Sequence, residues 1–504
     1  VQSSFAPSLV QPARIPGVAL FFAAVLVLLL AIRPPLSGAC FGFVDDYVLL
    51  DATRPLPDWP FLGWLAQDGR PLYGLLLNIV LAPLRDVCDL GLLRLVNVAL
   101  EALIAAQIFA LGVRHAWPLP AAAALGLIVL ALPGFAVAAA WATLVGPLVA
   151  ISLGLAAAGL ALPSWRDERP SLGRAAAAAC LLAAALSIYQ PGAMAFVAGV
   201  AIGLVRRPAT ATTLRVAVAP AAAVFVAVVA AYALFVLVLP MAVPGGLSAR
   251  AALALDPWHK LIWFLGVPLR QAINLFNLQP VPRFGLAVLA VVALGTLVRH
   301  RDVGIAVLAM AAQAGLVVLA FLPNLAVAES WPAFRSSLPM AMTLAVLAAA
   351  AVLALVELLP RRMAAASAPL LLALVAAYGF AASANAAGRG LVRIQREEWR
   401  ILVDSLRALR PPRPGETAEP VVLVPAFSVP GCLAWQRFDE FGLPSSARPW
   451  SAHAMLRHAW RQVHGEAPAP RFVVLPPGAP PPPGAPMIDL AGALAARARA
   501  ICGA

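Results

Sequence analysis

The strongest constraint on this chain is the recurrence of apolar runs about as long as a bilayer is thick. A helix crosses a bilayer with about 20 apolar residues. Runs approaching that length recur at 17–33, 90–113, 118–138, 143–162, 174–189, 191–206, 214–240, 284–299, 303–322, 336–358 and 364–386. Only 12% of residues are charged, about half the ~25% of a soluble domain. The fold expected is a polytopic α-helical membrane protein with about 11 transmembrane helices. The first apolar run reads as an uncleaved span, because Ser37 occupies the position before Cys40 where a lipoprotein cleavage site wants an apolar residue.

Loop charge sets the expected orientation. One set of loops carries Arg14, Arg114, Arg166, Arg169, Arg174, Arg206, Arg207, Arg215, Arg299, Arg301, Arg361 and Arg362 with few acids, the mark of the cytoplasmic side. The net charge of +13 is therefore assigned to orientation in a bacterial inner membrane, and nucleic acid is not an expected partner. The N-terminus is placed in the cytoplasm. The loop 34–89, the segment 241–283, the turn at Tyr189–Gln190 and the loop 324–336 then share the opposite, periplasmic face.

The first external loop carries the densest acid cluster: Asp45 and Asp46 in FGFVDDYVLLD, then Asp51, Asp58 and Asp68, followed by GRPLY. Neighbouring carboxylates against apolar surface repel, and one gains a raised pKa, which suits a general base acting on a hydroxyl. Asp45 and Asp46 are the catalytic candidates, and the only metal ligands suggested if a divalent Mg or Mn is used. FLGWLAQ and PLYGLLLNIVLAPL have helical spacing but are too short to cross, so they read as interfacial helices. DPWHKLIWFLGVPLRQAINLF reads similarly.

Arg70 can grip a phosphate with two parallel donors. Lys260 (the single lysine of the chain), Arg270 and Arg335 lie in the other external segments and complete a candidate phosphate-binding set. Tyr189, Gln190 and Glu329 are candidates for sugar or acceptor binding. Glu101 and Gln107 lie within the second run, where a structural network outweighs a proton path. Cys432 with Cys502, and Cys40 with Cys88, are placed where oxidising surroundings permit bridges. Cys180 is expected to be free and buried in a span.

From about Gly388 the composition changes. An amphipathic helix, apolar strands at 421–426 and 471–477, a helix near 451–464 and a polyproline loop predict a small α/β domain of roughly 115 residues. The division expected is a membrane domain over 1–387 and an extracytoplasmic domain over 388–504.

Five stretches, taken in order, resemble the GT-C superfamily of integral-membrane glycosyltransferases, and within it the O-antigen-modifying glucosyltransferases. They are FGFVDDYVLL, QDGRPLYGLLLN, LSIYQPGAM, KLIWFLGVPLRQAINLF and LPNLAVAESWPAFRSSLPM. The resemblance implies an inverting transfer from a polyprenyl-phosphate sugar to a hydroxyl of a cell-envelope glycan or lipid-linked acceptor such as lipopolysaccharide, with Asp45 as base. The alternative is a transporter or flippase of lipid-linked saccharides. It would place its polar residues at mid-membrane on broken helices, with Glu101 and Gln107 lining a through-going cavity.

Overall fold

The computed structural model describes residues 15–33, 39–52, 60–163, 171–207, 210, 213–238, 248, 250, 252–279, 281–300, 302–413, 416, 419–427, 440–480 and 482–502. The apolar runs form helices. These are α1 (Ile15–Ile32), α5 (Leu90–Arg114), α6 (Leu119–Leu130), α7 (Pro133–Ala140), α8 (Val145–Ala161), α9 (Leu172–Ile188), α10 (Gln190–Ala193), α11 (Ala195–Leu204), α12 (Ala219–Val238), α15 (Pro282–His300), α16 (Val303–Leu319), α18 (Phe334–Val356) and α19 (Arg361–Ala387). Between them lie α2 (Asp45–Ala52), α3 (Pro60–Gln67), α4 (Pro71–Leu81), α13 (Pro257–Gly266), α14 (Pro268–Ala272) and α17 (Leu322–Ala326).

Every apolar run read from the sequence holds helix. Six helices among the described residues are long and apolar enough to cross a bilayer, and a seventh crossing arises if α6 and α7 count as one span. Those two meet at a bend of 60°, where Pro133 breaks the helical ladder. α1, α9, α16 and the α10–α11 stretch are shorter. The count of 11 is therefore larger than helix length alone supports. Lipid is still required: α12 and α15 are apolar on all sides, yet only 17% of the residues in the most apolar 18-residue stretch of each are buried by protein. A helix of that kind is stable only inside a large core or a membrane.

The tail forms α20 (Arg393–Arg407), β1 (Val421–Val424), α21 (Pro449–His464), β2 (Phe472–Val474), β3 (Met487–Asp489) and α22 (Leu490–Cys502). The sheet is parallel throughout, in the order β2-β1-β3. β3 and α22 were not expected from the sequence. The boundary expected at residue 388 falls within continuous helix, because α19 passes through a π-turn at Gly388–Val392 into α20. Gly390 is required there, since a Cβ would meet Phe441 at 2.8 Å. One buried cluster runs without interruption from Val25 in α1 to Leu494 in α22, so the tail and the bundle share a core.

Cys40 and Cys88 form a disulfide that closes the first loop. The expected Cys432–Cys502 pair lies outside the described residues and side chains. Cys180 is free, as expected, and lies on an outward face of the apolar helix α9.

Candidate active site

The first loop turns sharply at Val44, which has φ +40°. That is unusual strain for a β-branched residue. α2 starts at the next residue, and the two adjacent acids separate there. Asp46 points inward and is fully buried. Its carboxylate accepts from Phe43 N (2.9 Å), Thr143 N (2.9 Å), Thr143 Oγ1 (2.8 Å) and Ala142 N (3.3 Å). Burial pushes its carboxyl above the usual range, against the pull of Arg94 and of these donors. With both oxygens occupied, Asp46 fastens the loop to the α7–α8 junction. The expected role as partner of the base or metal ligand gives way to this structural one.

Asp45 is half-buried and opens onto a cavity of about 180 Å³. Arg70, Tyr189, Glu329 and Arg335 line the same space, so five of the nine expected site residues converge. Arg70 lies 4.9 Å over the Tyr189 ring and donates from Nε to Gln190 Oε1 at 2.8 Å. That leaves its Nη groups available to a ligand. Arg335 lies 4.6 Å over Trp141 and pairs with Glu440 at 2.7 Å.

Gln190 stands behind Arg70 and not on the cavity. Its Nε2 donates to Asp68 O, Gly69 O and the Tyr232 hydroxyl. Gly69, at φ +72°, could not be replaced, because a Cβ would meet that hydroxyl at 2.9 Å. Gln190 is thus a positioning residue, a correction to its expected contact with sugar.

The other two cations also depart from expectation. The Lys260 ammonium donates to Glu329 O (2.7 Å), Ser330 Oγ (3.1 Å) and Asn324 O (3.3 Å). It pins the 324–330 loop from behind, and the bridge between Leu253 and Val327 holds the same loop. Arg270 is exposed on α14 and does not line the cavity. Neither Glu101 nor Gln107 lines it either. Glu101 is ion-paired with Arg33, both buried, and Gln107 donates separately to Ser152 O.

Several lining residues were not anticipated: Trp141, Arg250, Trp331, Glu440, Arg448 and Trp450. Arg448 sits 5.5 Å from the rings of both Trp331 and Trp450, and Trp450 Nε1 reaches Asp45 Oδ1 at 3.4 Å. Three of these come from the tail, which is docked on the acidic loop. Ser445 Oγ accepts from Val44 N at 2.8 Å, and Ser451 Oγ donates to Val44 O at 2.9 Å. Asp51 takes both Arg457 and Arg461, and Tyr47 stacks on Trp399 at 5.4 Å. The run DEFGLPSS supplies Glu440, Ser445 and Ser446. Arg94, buried inside an apolar run, was also missed. It lies over the Phe41 ring and donates to Ala39 O, Phe41 O and Ala140 O.

Chemically, the cavity offers two accessible carboxylates, Asp45 and Glu329, four guanidinium groups, Arg70, Arg250, Arg335 and Arg448, and a rim of aromatic rings. Among the described residues no three His, Cys, Asp or Glu side chains group closely enough to hold a metal ion. Glu440 is committed to Arg335, and Glu329 faces Arg250 at 3.7 Å. The carboxylates therefore do not fit a divalent-cation cage.

No family model matches the chain, and no curated protein matches it. A search of solved structures finds a likeness to the arabinofuranosyltransferase AftD from Mycobacteria, with 15% identity and a TM-score of 0.36. The aligned region covers 92% of this chain and 32% of that one, so the chain spans about a third of that protein's length. At that score the likeness carries no argument about fold or activity.

Proposed function

We propose that the protein is a membrane glycosyltransferase that moves a sugar from a polyprenyl-phosphate donor to a hydroxyl on a cell-envelope glycan or lipid-linked acceptor, on the extracytoplasmic face. The observation that carries this reading is the cavity that brings Asp45 together with Arg70 and Arg335 between Tyr189, Trp141, Trp331 and Trp450. A lipid-borne substrate also accounts for building such a cavity on a bundle of apolar helices.

In this reading each lining residue has a role. The Arg70 and Arg335 guanidinium groups face the donor phosphate and stabilise the charge that grows on it as the glycosidic bond breaks. Asp45 takes the proton of the acceptor hydroxyl as its oxygen attacks the anomeric carbon. The carbon–oxygen bond to phosphate breaks on the opposite side, so configuration inverts and polyprenyl phosphate leaves. Tyr189 and Glu329 contact the sugar or acceptor, and the tryptophans offer apolar faces to its ring. No step runs through a metal, because the carboxylates present do not assemble a site for one.

The test uses full-length protein in nanodiscs with a panel of polyprenyl-phosphate sugars, with and without chelator. Wild type should transfer at least one sugar. Asp45→Asn should lower that rate about 10²–10⁴-fold, the usual contribution of a positioned base, with no change in melting temperature. Wild-type movement of lipid-linked saccharide across a bilayer without any transfer would replace this reading with the transporter.

A further inference from the structure

A second cavity, of about 380 Å³, lies where α1 and α19 end. It shares no lining residue with the first. Its basic wall is Arg33, Arg393, Arg396 and Arg400, with Glu397 the one acid. Residues 393, 396, 397 and 400 follow the three- and four-residue spacing that puts side chains on one face of a helix. The opposite face of α20 (Ile394, Glu398, Trp399, Leu402) is buried. The floor is apolar: Ile32, Ala384, Ala387 and Val392.

The charges there are only partly matched. Glu397 is shared by Arg400 at 3.1 Å and Arg497 at 3.2 Å. Arg33 is 7% exposed and pairs with Glu101 through Nη1, while its Nη2 has no partner among the described residues. Arg393 and Arg396 have no hydrogen bond or ion pair to another described side chain. The apolar helices α1 and α19 stop at this point and arginine begins, the pattern of cations that reach from helix ends to the membrane interface.

We infer that this cavity binds the phosphate of an anionic membrane lipid, with Arg393 and Arg396 as the principal donors and its acyl chains on the apolar side of α19. Guanidinium forks match phosphate oxygens. The apolar floor is what separates a lipid-borne phosphate from a free one. The site stands apart from the proposed transfer chemistry and does not depend on it.

The experiment titrates full-length protein in phosphatidylcholine nanodiscs with dioctanoyl phosphatidic acid, dioctanoyl phosphatidylcholine or inorganic phosphate, reading bound ligand by native mass spectrometry. Phosphatidic acid should bind at least about tenfold more tightly than either of the others, a difference of about 1.4 kcal/mol. The double variant Arg393→Gln/Arg396→Gln should lose about that factor. Neither side chain holds the fold together, so the variant should melt with wild type. Arg407→Gln, on the same helix but paired with Asp404 at 2.9 Å, should bind like wild type. Four results would overturn the assignment: equal binding of phosphatidylcholine, equal binding of inorganic phosphate, no loss in the double variant, or an equal loss in Arg407→Gln.

Discussion

Removing the two hydroxyls that hold Val44 should loosen Asp45 without unfolding the protein. A non-glycine residue in the left-handed region carries about 1–3 kcal/mol of strain. Here it is opposed by Ser445 Oγ on the amide and Ser451 Oγ on the carbonyl. Each such bond contributes about 0.5–1.5 kcal/mol net, so the pair roughly matches the strain it restrains. In Ser445→Ala/Ser451→Ala the turn should relax in a sizeable share of molecules. A loss of about 2 kcal/mol corresponds to roughly a 30-fold shift in the equilibrium. Amide exchange followed by mass spectrometry on the peptide around 41–47 should accelerate by about that factor, and sugar transfer should fall by up to as much. Ser445 Oγ also donates to Gln395 at 2.6 Å, so the single Ser451→Ala variant isolates the Val44 contact and should show a smaller change in the same direction. Unchanged exchange at 41–47 in the double variant would refute the clamp, whatever happened to the rate.

Two further outcomes concern stability. Burial holds the Glu398 carboxyl at about 7, above its ordinary 4.5, despite hydrogen bonds from Ser446 and Ser445. Glu398 lies on α20, beyond the apolar part of the long helix. Between those two values the folded protein keeps a proton that the unfolded chain has lost, so stability should decline as pH rises through this window and level off above it. Glu398→Gln should flatten that slope in thermal unfolding followed across pH. The Cys40–Cys88 bridge spans a sequence separation of 48 residues, for which loop entropy gives about 4 kcal/mol. Cys40→Ser/Cys88→Ser should lower the melting temperature, and reductant should then have no further effect.

The apolar runs and the short helices of the first loop were legible because periodicity is a local property that survives in a single sequence. Which of two adjacent acids would face a cavity was not. Asp45 and Asp46 have the same neighbours in sequence, and the turn at Val44 sends one outward and the other into a nest of amide donors. Lys260 was misread for a related reason: a cation near tryptophans looks available until the carbonyls that hold it are known. Arg448, Trp450 and Glu440 reach the cavity from roughly 400 residues along the chain, and no local pattern encodes that return. β3 has three residues, too few for alternation to declare a strand.

The clamp on Val44 also imposes an order on biogenesis. Val44 and Ser445 are 401 residues apart in sequence. At synthesis rates of about 5–20 residues per second, the acidic loop waits roughly 20–80 seconds for the serines that fix it. The cysteines at 40 and 88 emerge early in that interval, so oxidation can tether the loop long before its geometry is complete. A nascent chain therefore holds Asp45 without the scaffold that aims it, and the first cavity cannot close until the segment around 440–451 has been delivered to the same side. On the proposed function, activity would be acquired late and all at once, so a chain that stalls before that segment would be inserted and oxidised but inert.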